Sequence, residues 1–140
     1  MSTPPIPGYP VAAPTGRLSW ALGFLAYIPI PFVSLLIAAV AIMATAPARR
    51  RSVHPLVRGN ATQAANWALT IFVVFALCVV YFAVTVSIEE LRTAGFFPVG
   101  AVVIVLGVLA LAHLVVTVAG TIASATRVYR APIAIPFLRD

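Results

Sequence analysis

Three stretches of the chain carry no charged side chain: Leu18–Ala48, Gly59–Ile88 and Thr93–Thr126. A helix that crosses a bilayer needs about 20 mainly apolar residues. Each stretch is long enough, and all nine basic residues, every one an arginine, lie outside them. The pattern predicts an integral membrane protein.

The first stretch is interrupted. Pro29 and Pro31 flank Ile30, so a helix that starts at Leu18 must break or kink near Ile28. The predicted pieces, 18–28 and 32–46, reach about 17 Å and 22 Å at 1.5 Å per residue. Both fall short of a hydrocarbon core of about 30 Å. The segment is then either one long kinked span or two short helices folded as a hairpin. The other stretches predict full transmembrane helices over 60–87 and 98–126. The fold class expected is all-α: a small membrane bundle with a proline-broken first segment and two full spans. Residues 1–16 hold five prolines and read as a disordered tail. With its first positive charge at Arg17 and a long apolar run behind it, this N-terminus makes a poor signal peptide. Pro132 and Pro136 make residues 127–140 an extended strap, placed along the cytoplasmic interface or against the bundle because Ile133, Ile135, Phe137 and Leu138 are too apolar for a free tail.

Polar residues within the spans fall on two stripes. Asn60, Gln63, Asn66, Trp67 and Thr70 occupy about 120° of the second helix at 100° per residue. His113, Thr117, Gly120 and Ser124 follow at i, i+4, i+7 and i+11 on the third. A short loop makes these helices antiparallel, which sets Asn60 opposite Thr126, Asn66 near Gly120 and Thr70 near Thr117. An unpaired amide in hydrocarbon is costly, so Gln63 and Asn66 are expected to bond across to the third helix or to the first stretch. Gly120 and Ser124 would let the backbones approach, and Gly100 and Gly107 offer further packing faces. The expected interhelical polar cluster is Gln63, Asn66, Thr70, His113, Thr117 and Ser124.

Charge sets the orientation. Arg49, Arg50, Arg51 and Arg58 lie between stretches one and two, Arg127, Arg130 and Arg139 follow stretch three, and Arg92 stands with Glu89 and Glu90 in the opposite loop. Arginine excess marks the cytoplasmic side, so the 47–59 loop and the C-terminus are expected in the cytoplasm. Arg17 joins them only if the first stretch is a hairpin, which also puts the N-terminus there. Arg49, Arg50, Arg51, Arg58, Arg127 and Arg130 read as topology anchors that meet anionic lipid headgroups. A net charge of +6 would suggest nucleic acid in a soluble chain, but a mean hydropathy of +1.08 excludes one, and no nucleic-acid partner is expected.

Chemistry-bearing constellations are scarce. Cys78 is the single cysteine and lacks metal-site partners. Glu89 and Glu90 are adjacent in an aqueous loop, with no electrophile site beside them. His113 falls near the midplane, where three roles compete: a hydrogen-bonded neutral imidazole, a proton relay, or a haem ligand. A relay lacks an intramembrane carboxylate and a bis-histidine haem lacks a second intramembrane histidine, since His54 is in the loop. The bonded imidazole is favoured. No catalytic, cofactor-binding or metal-binding residue is assigned.

Two segments carry a family resemblance. Gln63-Ala64-Ala65-Asn66-Trp67-Ala68-Leu69-Thr70 resembles a QAxNFxxT helix entry, and Ala123-Ser124-Ala125-Thr126-Arg127-Val128-Tyr129-Arg130-Ala131-Pro132-Ile133 resembles an AxxGxxYRYPxxI closing segment. Both are similar to motifs of a family of small bacterial multi-pass membrane proteins of unassigned function. That family resembles the twenty-kilodalton component of the chloroplast inner-envelope protein translocon. Trp67, Thr126 and Ala131 depart from the motifs. The resemblance implies a helical bundle with both termini cytoplasmic and a remote link to protein translocation, and it transfers no catalytic residue. The expected function is a non-enzymatic, multi-pass protein of the cytoplasmic membrane, an accessory or scaffolding subunit bound to other membrane proteins. The alternative is a small channel or translocon-like conduit lined by Gln63, Asn66, Thr70 and His113.

Overall fold

The computed structural model describes residues 14–28, 30 and 33–139. Most of the proline-rich segment predicted over 1–16 lies outside these residues, as do Pro29, Pro31, Phe32 and Asp140. The described chain is all-helical: α1 (Arg17–Ala21), a 3-10 segment (Leu22–Tyr27), α2 (Val33–Arg50), α3 (Pro55–Ser87), α4 (Glu89–Thr93) and α5 (Phe96–Ala123). Three of these helices, α2, α3 and α5, are long and apolar enough to cross a membrane.

The first stretch is a hairpin. Ile28 leaves the helix with ψ 136°, the extended geometry favoured before proline. Ser34 at the start of α2 donates its hydroxyl to the Ala26 carbonyl at 2.7 Å, closing the turn. At the other end Arg49 Nη1 donates to Ser19 Oγ at 3.3 Å. Residues 30 apart in sequence therefore meet, so α1 and α2 run in opposite directions. The arms differ from the two short helices expected. The first is α1 followed by a 3-10 segment, about 20 Å long. The second continues past residue 46, through Pro47, to Arg50. Pro47 has no N–H to give the Met43 carbonyl one turn back, a single lost bond with only three helical residues beyond it. Arg49 and Arg50 there favour the negative end of the helix dipole.

Helix α3 starts at Pro55, five residues before the expected start, with proline in the first turn where its missing N–H costs nothing. Its 33 residues reach about 50 Å, more than a bilayer core. The loop between the long spans holds a short helix not among the expected elements, α4, whose Arg92 pairs with Glu89. Gly95 turns the chain into α5 at φ 91°, a conformation that glycine accepts without strain.

The core occupies the arginine-bearing half. Helix α2 packs along α3 and back on the 3-10 segment, while α1 lies on α5 and α3. The α2–α3 contact is lined by small buried residues, including Ala38, Ala39, Ala61, Ala64, Ala65 and Ala68. Lipid tails are as apolar as leucine, so close van der Waals packing of small side chains drives such contacts. Beyond Ile71 few α3 side chains are buried. There α3 and α5 form a two-helix hairpin whose Leu77, Val80, Phe82, Val84 and Val108 are exposed, as suits a lipid-facing surface. Gly107 faces open space, whereas Gly100 lies beside the Phe96 ring of its own helix.

Candidate functional site

The polar residues of the spans are buried in three linked clusters, and together they pin the N-terminal hairpin and the C-terminal strap to α3. Asn60 is the hub of the first. Its Oδ1 accepts from Trp20 Nε1 and from the Tyr129 backbone N–H, both at 3.0 Å. Its Nδ2 donates to the Leu56 carbonyl at 2.9 Å and the Arg127 carbonyl at 3.2 Å. One fully buried amide thus joins α1, α3 and the strap. The Trp20 indole also meets Tyr129 edge-on, with ring centroids 5.2 Å apart. Trp20 fits because Gly120 of α5 lies against its ring, where any Cβ would overlap it. The Gly16 N–H donates to the Ser124 carbonyl at 3.1 Å, tying the start of α1 to the end of α5.

The second cluster binds the strap. The Leu138 N–H donates to Asn66 Oδ1 at 2.7 Å, and Asn66 Nδ2 donates back to the Leu138 carbonyl at 3.0 Å. The side-chain amide thereby copies a strand pairing. One turn deeper, Thr70 Oγ1 accepts the Ile135 N–H at 2.9 Å and donates to the Asn66 carbonyl. The strap therefore leaves the level of Asn60, runs along α3 to Thr70 and turns back to Asn66. Of the two placements the sequence allows, along the interface or against the bundle, the strap takes the second. The ten residues from Asn60 to Thr70 span about 15 Å of helix. Extended backbone at that depth requires protein partners for its N–H groups, and Asn66 and Thr70 supply them.

The third cluster is centred on His113, which is fully buried. Trp67 Nε1 donates to His113 Nδ1 at 2.9 Å. Indole N–H is a donor only, so Nδ1 is the bare acceptor nitrogen and the proton sits on Nε2. Nε2 donates to the Gly23 carbonyl at 2.9 Å, with Thr117 Oγ1 at 3.4 Å. The imidazole is neutral with a fixed tautomer, and both nitrogens are engaged. A second proton on Nδ1 would face the Trp67 N–H donor to donor. Neither nitrogen is left for haem iron or for a proton chain. Among the described residues no three His, Cys, Asp or Glu side chains are grouped to hold a metal, and no buried side-chain nitrogen or oxygen lacks a partner.

Of the expected cluster, His113 and Thr117 are neighbours, and Asn66 and Thr70 are neighbours, but the two pairs serve different partners. The α3–α5 alignment is right to about one residue at Asn60, which reaches Arg127. It fails deeper in the bundle. Asn66 bonds the strap rather than α5, and Gly120 faces Trp20 rather than Asn66. Gln63 is half-buried and takes no part in these bonds among the described residues. Ser124 is buried, with its hydroxyl turned to Thr121 of its own helix at 3.3 Å. The physical reason is the same throughout: α1 is wedged between α3 and α5, and the strap covers the rest of the stripe. Trp20 and Tyr129 were missed as network members. The available signal was that a buried indole N–H needs an acceptor.

The anchor arginines gather at one end. Contacts of Gly16, Trp20, Arg49, Asn60 and Arg127 bring that end of every long element together. Arg50 Nη2 donates to the Arg139 carbonyl at 3.1 Å, and Arg51 and Arg58 are exposed nearby. Arg127 and Arg130 are exposed on the strap.

A family model described as the magnetosome magnetite crystal formation protein family (MamF/MmsF) matches residues 15–138. The match includes the hairpin, both long spans and the strap, and the chain belongs to that family. No curated protein and no solved structure matches the chain. The comparisons lend no support to the translocon likeness.

Proposed function

We propose that this member of the magnetite crystal formation family is a non-enzymatic scaffold of the magnetosome membrane, acting on crystal formation through the membrane proteins it holds. The observation that carries this reading is the closed interior. Asn60, Asn66, Thr70 and His113, the residues suited to line a conduit, spend their hydrogen-bonding capacity on the chain's own backbone and side chains. A polar path would need groups free to meet water or a solute. What remains for partners is outside: the apolar faces of the α3–α5 hairpin in the bilayer, and the arginine-rich end.

The test is solubilisation of magnetite-forming membranes in mild detergent, with the chain tagged. A scaffold copurifies with a membrane protein in fixed stoichiometry, and deleting the chain changes crystal size or number while that partner is dispersed. Recovery of the chain alone, with its loss leaving crystals unchanged, would contradict the reading.

A further inference from the structure

At the arginine-rich end, the α2–α3 corner forms an open cleft of about 340 Å³ lined by Pro47, Arg50, Arg51, Arg58 and Thr62. Three guanidinium-bearing residues border one small volume. Glu89 and Glu90, the only carboxylate side chains among the described residues, lie at the opposite end of α3. The negative end of the α2 dipole and the positive end of the α3 dipole meet there and oppose each other, so the charge of the corner is that of its arginines. Arg50 is not loose: its guanidinium is held by the Arg139 carbonyl. This is the chemistry that recognises a phosphate oxyanion.

A second observation bears on what such an oxyanion would belong to. A further cavity of about 320 Å³ shares Pro47 and Arg50 with the first. It continues away from the arginines between Met43 of α2 and Ala65 and Leu69 of α3, and Leu138 of the strap forms one wall. Met43 lies seven residues before Arg50, and Leu69 seven after Thr62. Both displacements are about 10 Å along the helices, in the direction of the bilayer centre. The two cavities therefore form one amphipathic groove, basic at the membrane surface and apolar below it. A free anion has no use for the apolar half.

We propose that the groove is a specific site for one anionic phospholipid. Its phosphate sits among Arg50, Arg51 and Arg58, and an acyl chain lies along Met43 and Leu69 beneath Leu138. The bound lipid joins α2, α3 and the strap. This goes beyond general attraction of a basic surface to headgroups, because it fixes stoichiometry and position.

The experiment uses the full-length protein, purified in neutral detergent and examined by native mass spectrometry with added phosphatidylglycerol or phosphatidylcholine. The wild type is expected to retain one phosphatidylglycerol and to discriminate against phosphatidylcholine. The double variant R51Q/R58Q should lose about tenfold or more in affinity, and Leu69→Trp, which fills the apolar half, should also lose lipid. The equal charge change R127Q/R130Q, outside the groove, should alter affinity by less than about twofold. Thermal melting of each variant without added lipid confirms folding. Equal loss in R127Q/R130Q would overturn the site in favour of diffuse charge attraction. Displacement of the lipid by millimolar inorganic phosphate, with no effect of Leu69→Trp, would overturn the lipid in favour of a free anion.

Discussion

Replacing Asn60 with leucine removes the hub while nearly preserving volume. Four hydrogen bonds disappear. The Leu56 carbonyl is a helix acceptor and loses little. Trp20 Nε1 and the Tyr129 N–H lose their acceptor, in surroundings where Asn60 and Trp20 are both 0% exposed. Each orphaned buried donor costs about 1–3 kcal/mol, giving a loss of about 2–6 kcal/mol. The lower end agrees with the three contacts to other elements at the roughly 0.6 kcal/mol average found for hydrogen bonds between membrane helices. For a chain of this size, about 2 kcal/mol corresponds to a Tm decrease of roughly 4–8 °C. The assay is thermal unfolding of the purified protein in detergent, followed by fluorescence and by loss of helical circular dichroism. Gln63→Leu is the control, three residues away on the same helix but outside the network. Its effect should stay within about 0.5 kcal/mol. Equal melting temperatures for the two variants would refute the assignment of Asn60 as the joint of hairpin, span and strap.

Other consequences follow from the remaining contacts. Trp67→Phe and His113→Leu should each destabilise, and the double variant should cost less than the sum by about 0.5–2 kcal/mol, because either change breaks the same bond; additivity in melting experiments would refute the pairing. Gly120→Ala places a methyl against the Trp20 ring and should cost about 1–3 kcal/mol by overpacking, while Gly107→Ala, which meets nothing, should be neutral or slightly stabilising. Truncation after Arg130 strips Asn66 and Thr70 of their backbone partners and should lower stability by about 1–3 kcal/mol. The same truncation in an Asn66→Leu background should cost distinctly less, since that residue's bonds are already gone.

The sequence carried the membrane assignment, the two long spans and the gathering of arginines, because charge exclusion from hydrocarbon acts on each residue singly. It carried the break in the first stretch, through the prolines around Ile30, but left a kinked span and a hairpin both open, with only Arg17 favouring the hairpin. What it could not show was which partner each polar residue would take. A stripe such as Asn60, Asn66 and Thr70 states that hydrogen bonds are needed but leaves open whether a helix or an extended strap will meet them. The apolar residues of the strap, such as Ile133 and Phe137, state that it needs cover, but not how deep it reaches. Asn66 and Thr70 set that depth by pairing with the backbone of Leu138 and Ile135. The wedge position of α1 depends on Gly120 and Trp20 being complementary in shape, a fact about two residues 100 apart that neither segment signals alone.

The closed interior is the premise on which the scaffold reading stands, and ion conductance tests it most directly. Purified protein reconstituted into planar bilayers should show no conductance above the lipid background, and Asn66→Leu and His113→Leu should leave that baseline unchanged. Discrete wild-type conductance, abolished by Asn66→Leu, would contradict the account and establish the polar residues as the lining of a conduit.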